Sequence, residues 1–239
     1  MGLVDTEAII LRTYNLAEAD KIVVYLTRCC GIRHGVAHGA RRLRSKFGAA
    51  LEPFTLINLS YFEKEGRELA TLKQTEIQRS YFELGRTVEV AMAMASVGAL
   101  VLDFAPPHEP NENLFRLLSA SLETLADKPE SSAAIKCYFE VWTLKLSGFM
   151  PATHVCTDCH RHFTEAENTY FNAESKLRGE CCSHGRGELL SANTREVLRA
   201  ALRLHPCEFA QRWISYTVES RAETAQWTRR LIERVLERK

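Results

Sequence analysis

Over the first eighty residues, apolar side chains alternate with polar ones in short runs broken by glycine and charge, the period of half-buried strands. Thr6 to Tyr14 (TEAIILRTY) is the first run and Lys21 to Thr27 (KIVVYLT) the second. Gly31 to Gly39 (GIRHGVAHG) is the third, and its glycines predict a bent or bulged strand. Leu56 to Glu63 (LINLSYFE) and Leu69 to Ile77 (LATLKQTEI) flank the turn-prone Lys64-Glu65-Gly66-Arg67 and predict a hairpin. So few short strands leave their edges exposed unless they close on themselves, and closure at this size predicts a five-stranded OB-fold barrel.

From about Arg79 the period lengthens to that of helices. Arg86 to Phe104 is apolar almost all round, as an interior helix is, and stops before Pro106-Pro107. Asn113 to Ala126 sets Leu114, Leu117, Leu118, Leu122 and Leu125 on one face. Ser131 to Ser147 does the same with Ile135, Phe139, Trp142 and Leu146, then stops at Gly148. Thr194 to Leu204 and two stretches between Glu208 and Lys239 are helical again. The predicted class is α+β: an OB-fold barrel over 1–80, then an all-α helical domain over 81–239 interrupted by an irregular segment at about 150–187.

The formal net charge is only +1, so attraction to a polyanion has to come from where the charges stand. Between Arg28 and Phe47 the chain carries six cations and no Asp or Glu. OB-folds hold single strands in a cationic groove lined with aromatic platforms. Arg33, Arg41, Arg42, Arg44 and Lys46 are therefore the candidate phosphate contacts. Binding through them would tolerate any base sequence and weaken with salt. Phe47, Phe54, Tyr61 and Phe62 are candidate stacking surfaces, with core packing as their competing use. For the cations, the competing use is a solvated loop that keeps a barrel edge from aggregating.

The opening MGLVDTEAIILRTY has no secretory pattern, and the apolar run Val90 to Leu102 is shorter than the about 20 residues a bilayer needs. A cytoplasmic protein without a membrane anchor is expected, in which the eight cysteines serve as thiols or metal ligands instead of disulfides. Cys29, Cys30, Cys137 and Cys207 are scattered. The others fall in CTDC at 156–159 and GECCSH at 179–184. Cys156, Cys159, Cys181 and His184 give C-x2-C, a long loop and C-x2-H, a spacing that closes a tetrahedron around Zn²⁺. Cys182 competes with Cys181 or replaces His184, and His154, His160 and His162 are further candidates. A filled shell has no open position for water, so the expected zinc is structural.

Taken together, certain pieces resemble the bacterial DNA repair protein RecO family. They are Ala8-Ile9-Ile10-Leu11, Glu18-Ala19-Asp20-Lys21-Ile22-Val23 leading to Leu26-Thr27 and Gly31, Gly39-Ala40-Arg41-Arg42, Ser45-Lys46-Phe47 and Leu51-Glu52-Pro53-Phe54. Gly148-Phe149-Met150-Pro151, the CxxC and the second metal pair complete the series. The chain differs in having His184 where the family usually has a fourth Cys, Cys182 beside Cys181, and the vicinal Cys29-Cys30.

The resemblance implies an ATP-independent recombination mediator, not an enzyme, that works at the nucleoid. It would bind single- and double-stranded DNA and anneal complementary strands. It would also engage the C-terminal tip of single-strand-binding protein and, with RecR, help place RecA on gaps. The basic C-terminal TRRLIERVLERK, with Arg230, Arg234 and Arg238, has the character of a dock for that tip, although a solvated helix face would look the same.

No G-x-x-x-x-G-K-[ST] phosphate loop is present to support ATP hydrolysis. One alternative is an OB-fold and zinc-knuckle protein for structured RNA. Another is a zinc hydrolase using His154, His160 or His162 with Glu165 or Glu167.

Overall fold

In a computed structural model that describes residues 2–64, 66–106, 108–172 and 176–237, five strands close into a barrel. They are β1 (Gly2–Leu16), β2 (Asp20–Thr27), β3 (Gly31–Ala37), β4 (Thr55–Glu63) and β5 (Ala70–Ser80). Round the barrel they run β1-β2-β3-β5-β4, and β1 pairs with β4 to complete the circle. All neighbours are antiparallel except β3 and β5, which meet in parallel at Gly35–Ala70 and Val36–Thr71. Closure pairs edges that would otherwise recruit another chain.

Alternation places the core. In β4, Thr55, Ile57, Leu59 and Tyr61 turn inward at every second position. They meet Ala8, Ile10, Val23, Tyr25 and Leu72 from the other strands, with Tyr25 and Tyr61 edge to face at 5.8 Å between ring centroids.

The β2–β3 ladder carries no bulge. β2 and β3 pair residue for residue from Lys21–Ala37 to Thr27–Gly31, and the register shifts lie between Ile10 and Arg12 of β1 and in the β4–β5 ladder. The β3 glycines answer to space instead. A Cβ on Gly35 would lie 2.3 Å from the Leu72 side chain, and one on Gly31 would lie 2.0 Å from the Glu109 carbonyl oxygen. Gly31 also has φ +69°, a region costly to other residues. Gly31→Ala is therefore expected to lower stability by about 2 kcal/mol or more, read from the urea midpoint. An unchanged midpoint would mean that the Glu109 backbone does not rest on this turn. The same turn holds Cys29 and Cys30 and brings their adjacent sulfurs together.

The period change near residue 80 marks the end of β5, and the next two helices belong to the barrel's compact unit, residues 1–132. α1 is Val88–Phe104 and α2 is Glu112–Asp127, the latter capped by Asn111, whose side-chain oxygen accepts from the Leu114 N–H at 3.0 Å. Phe54 lies against Gly98 of α1, where an added Cβ would sit 3.0 Å from its ring. The Arg28 guanidinium lies 5.0 Å from the centre of the Phe115 ring of α2.

The second compact unit, residues 133–239, is built round α3 (Ser132–Leu146). The Tyr138 hydroxyl donates to the Leu204 carbonyl at 3.1 Å and the Trp142 indole to that of Ala201 at 2.8 Å. The expected irregular segment contains a small sheet of order β7-β6-β8, from β6 (Thr169–Phe171), β7 (Leu177–Gly179) and β8 (Glu188–Leu190), with the single turn α4 (Glu180–Ser183) between β7 and β8. α5 (Ala192–Arg203), α6 (Pro206–Trp213) and α7 (Val218–Leu236) follow. Phe171 packs edge-on against Trp227 of α7 at 5.3 Å, which fixes the sheet to the helices. Arg195 of α5, only 1% exposed, donates to the Thr164 and Glu165 carbonyls and fastens the segment from its other side. Among the described residues, no helix is long and apolar enough to cross a membrane.

Candidate nucleic-acid interface and four-sulfur site

The loop from His38 to Phe47 leaves the end of β3 and is held at both ends. Asp20 accepts from the Gly39 N–H at 2.8 Å and pairs with His38 at 2.7 Å. The Gly39 bond first, then His38, hold the Asp20 carboxyl below its ordinary range, so it stays ionised. At the far end Phe47 drops into the barrel core at 3% exposure. Between these anchors Arg41, Arg42, Arg44 and Lys46 are all exposed. The Arg41 guanidinium donates to the Ala17 carbonyl at 2.8 Å and the Lys46 ammonium to that of Lys73 at 2.7 Å, so both are steered by neutral acceptors and keep their charge uncompensated. None of the four forms an ion pair among the described residues.

Arg33 differs. Its guanidinium pairs with Glu63 at 3.0 Å, and its side chain is only 13% exposed. Strand β3 turns it toward the end of β4, so the barrel itself neutralises it. Two candidate stacking rings also belong to the core: Tyr61 is fully buried and Phe47 nearly so, and Phe54 and Phe62 are half-buried. A small barrel has too few large apolar residues to leave its aromatics in water.

The second site gathers Cys156, Cys159, Cys181 and Cys182, whose sulfurs all lie within 4.8 Å of one another. Cys159 to Cys181 and Cys181 to Cys182 are both 3.6 Å. Sulfurs at about 2.3 Å from a tetrahedral Zn²⁺ would be about 3.8 Å apart, so the four could hold a metal ion. The first knuckle is fixed to β7 by Thr157, whose N–H and hydroxyl both donate to the Leu177 carbonyl, at 3.0 and 2.9 Å. α4 presents the other two sulfurs.

His184 is outside this group among the described residues, and Cys182 is the fourth member of it. His184 follows the turn in a left-handed conformation, φ 49°, with an exposed ring. His154, His160 and His162 are likewise not in the group, and Glu167 is engaged by Arg161 at 2.5 Å.

The charges in the group suit a cation. Burial works against the Cys156 thiolate, but the N–H groups of Cys159, Gly179 and Asp158 outweigh it and bring its pKa to about 7. Arg161, 3.7 Å from Cys181, lowers that thiol in turn. Cys182 is pushed up to about 12, mainly by its contact with Cys159, since another anion beside thiolates is unfavourable. A divalent cation removes that penalty.

The family description "Recombination protein O N terminal" matches residues 1–81, and "Recombination protein O C terminal" matches 87–239. The chain belongs to the RecO family. It is 36% identical to the DNA repair protein RecO of Koribacter versatilis over 157 residues, 66% of this chain and 64% of that protein. To the RecO of Symbiobacterium thermophilum it is 32% identical over 208 residues, 84% and 81% of the two chains. To that of Dehalococcoides mccartyi it is 30% identical over 196 residues, 81% and 76%. The chain thus spans just under two thirds of the length of the Koribacter RecO.

Within this RecO chain, Arg230 and Arg234 of α7 hold Glu188 at 2.6 and 3.2 Å, which engages them in a local ion-pair network, and Arg238 lies outside the described residues. Arg161 escaped the sequence analysis altogether, since nothing local connects it with Cys181.

Proposed function

We propose that this chain is an ATP-independent mediator of recombination in DNA repair. It binds single- and double-stranded DNA, anneals complementary strands and, with RecR, helps place RecA on DNA coated with single-strand-binding protein, whose C-terminal tip it engages. The observation that carries this reading is the row of exposed cations, Arg41, Arg42, Arg44 and Lys46, none of them in an ion pair among the described residues and only Arg42 near a carboxylate, Asp20, on a loop anchored to a closed barrel in a chain of the RecO family.

Annealing needs no covalent step. Two polyanions must come within pairing distance, and the barrier is their mutual repulsion. Guanidinium groups that replace condensed counterions lower it, and they do so for any base sequence. In this reading residues 1–80 are the DNA-binding domain and 81–239 the domain that meets partners. Cys156, Cys159, Cys181 and Cys182 hold a structural zinc whose chemistry is to cross-link the first knuckle to α4. Arg161 offsets part of the negative charge left by four thiolates around a divalent ion.

The test is annealing of complementary strands precoated with single-strand-binding protein, followed by fluorescence without nucleotide. The expected result is faster annealing with the chain present, less marked as salt rises. No acceleration, or tighter binding to a matched structured RNA than to DNA, would overturn the proposal.

A further inference from the structure

Leu43 sits in the middle of the basic loop with its whole side chain in water, at 103% relative exposure. The Ser45 N–H donates to the Arg42 carbonyl at 3.0 Å, closing a tight turn whose corners are Leu43 and Arg44. Such corners favour Gly, Pro, Asn, Asp and Ser, which serve the backbone. A leucine there buries nothing for the barrel.

An isolated exposed leucine is ordinary on a protein surface. The setting of Leu43 is not. Arg41, Arg42 and Arg44 flank it directly, and none of them has a carboxylate partner among the described residues. The turn stands on a fixed base: the Arg41 N–H donates to the Ala19 carbonyl at 2.9 Å and the Arg42 N–H to that of Gly39 at 3.1 Å. These bonds and the Ser45–Arg42 bond restrict the backbone that carries Leu43, which lowers the entropy lost when the tip is used. The rings that could have offered an apolar face nearby, Phe47 and Tyr61, are in the core.

A single strand gripped by these arginines offers its largest apolar surface on the faces of its bases. We infer that Leu43 is an apolar wedge that packs on, or inserts between, unstacked bases of a single strand whose phosphates are held by Arg41, Arg42 and Arg44. Apolar side chains part base steps even in duplexes, at a cost in stacking energy at each step, and in a single strand much of that cost is absent. In a duplex the base faces are already stacked, so the wedge favours single strands, and by keeping bases splayed it leaves their pairing edges free for a complementary strand. This inference rests on the DNA-binding reading above and adds to it a contact that reads bases instead of charge.

The two kinds of contact separate in a binding experiment with the full chain. Its probes are oligothymidylate and an abasic sugar-phosphate oligomer of equal length and charge. Leu43→Ala leaves every charge in place, so the salt slope and the thermal midpoint should match those of the parent chain. Affinity for oligothymidylate should fall about fivefold, the effect of losing roughly half the burial of one leucine side chain, while affinity for the abasic oligomer stays the same. Leu43→Trp should bind oligothymidylate more tightly than the parent, since an indole stacks better than leucine packs, and bind the abasic oligomer equally.

If Leu43→Ala binds both oligomers as tightly as the parent, or loses equally on both, the wedge is wrong even though the arginines hold DNA. If the parent chain binds neither oligomer, the DNA-binding reading falls and takes the wedge with it.

Discussion

Cys156→Ser, Cys159→Ser and Cys182→Ser are each expected to strip about one zinc ion from the chain, whereas His184→Ala should keep it. The knuckle at 156–159 and the turn α4 have little apolar core of their own beyond Cys156, so a shared ion would be the main link between them. Binding free energy in such a segment is folding free energy. An ion present at about a thousand times its Kd contributes about 4 kcal/mol, and that is the expected loss on chelation. Metal content by atomic absorption and amide exchange over 155–163 and 177–184 would measure both effects. The barrel, a separate compact unit, should retain its protection and its DNA affinity. Retention of zinc by Cys182→Ser together with its loss from His184→Ala would reverse the ligand set.

Changing Arg41, Arg42 and Arg44 together to Ala should reduce single-strand affinity about a hundredfold at 0.1 M salt. Each phosphate neutralised contributes about −0.7 to the log-log salt slope on single strands, so losing three contacts flattens it by about two, or about two decades of affinity at that salt. Arg33→Ala should leave the slope nearly unchanged, because Glu63 already balances that charge. It should instead loosen the barrel, since the Glu63 carboxylate loses its partner. A triple variant with the parent's slope would remove the loop from the interface. A flattened slope in Arg33→Ala would mean that its pairing with Glu63 gives way to phosphate.

Strands, helices and the barrel were legible in the sequence because each rests on local period and on breakers that act over a few residues. The alternation in LINLSYFE marks which side chains face inward whatever they meet there, and Gly148 ends α3 by its own conformational freedom. That the 156–184 segment gathers cysteines that could hold a metal ion was equally local, because paired short spacings bend both sulfurs toward one point.

Pairing between distant segments was settled elsewhere. A charge count finds Arg33 and Arg41 alike, but β3 and β4 of the folded barrel give Arg33 a carboxylate and leave Arg41 a neutral carbonyl. Cys181, Cys182 and His184 are all near enough in the chain to serve, and the fold sets Cys182 among the grouped sulfurs and leaves His184, in a left-handed conformation after α4, outside the group among the described residues. Composition and period fix which surfaces a segment presents. Which of those surfaces meet depends on contacts between residues far apart in the chain, and those exist only once the barrel and the sulfur knuckle have closed.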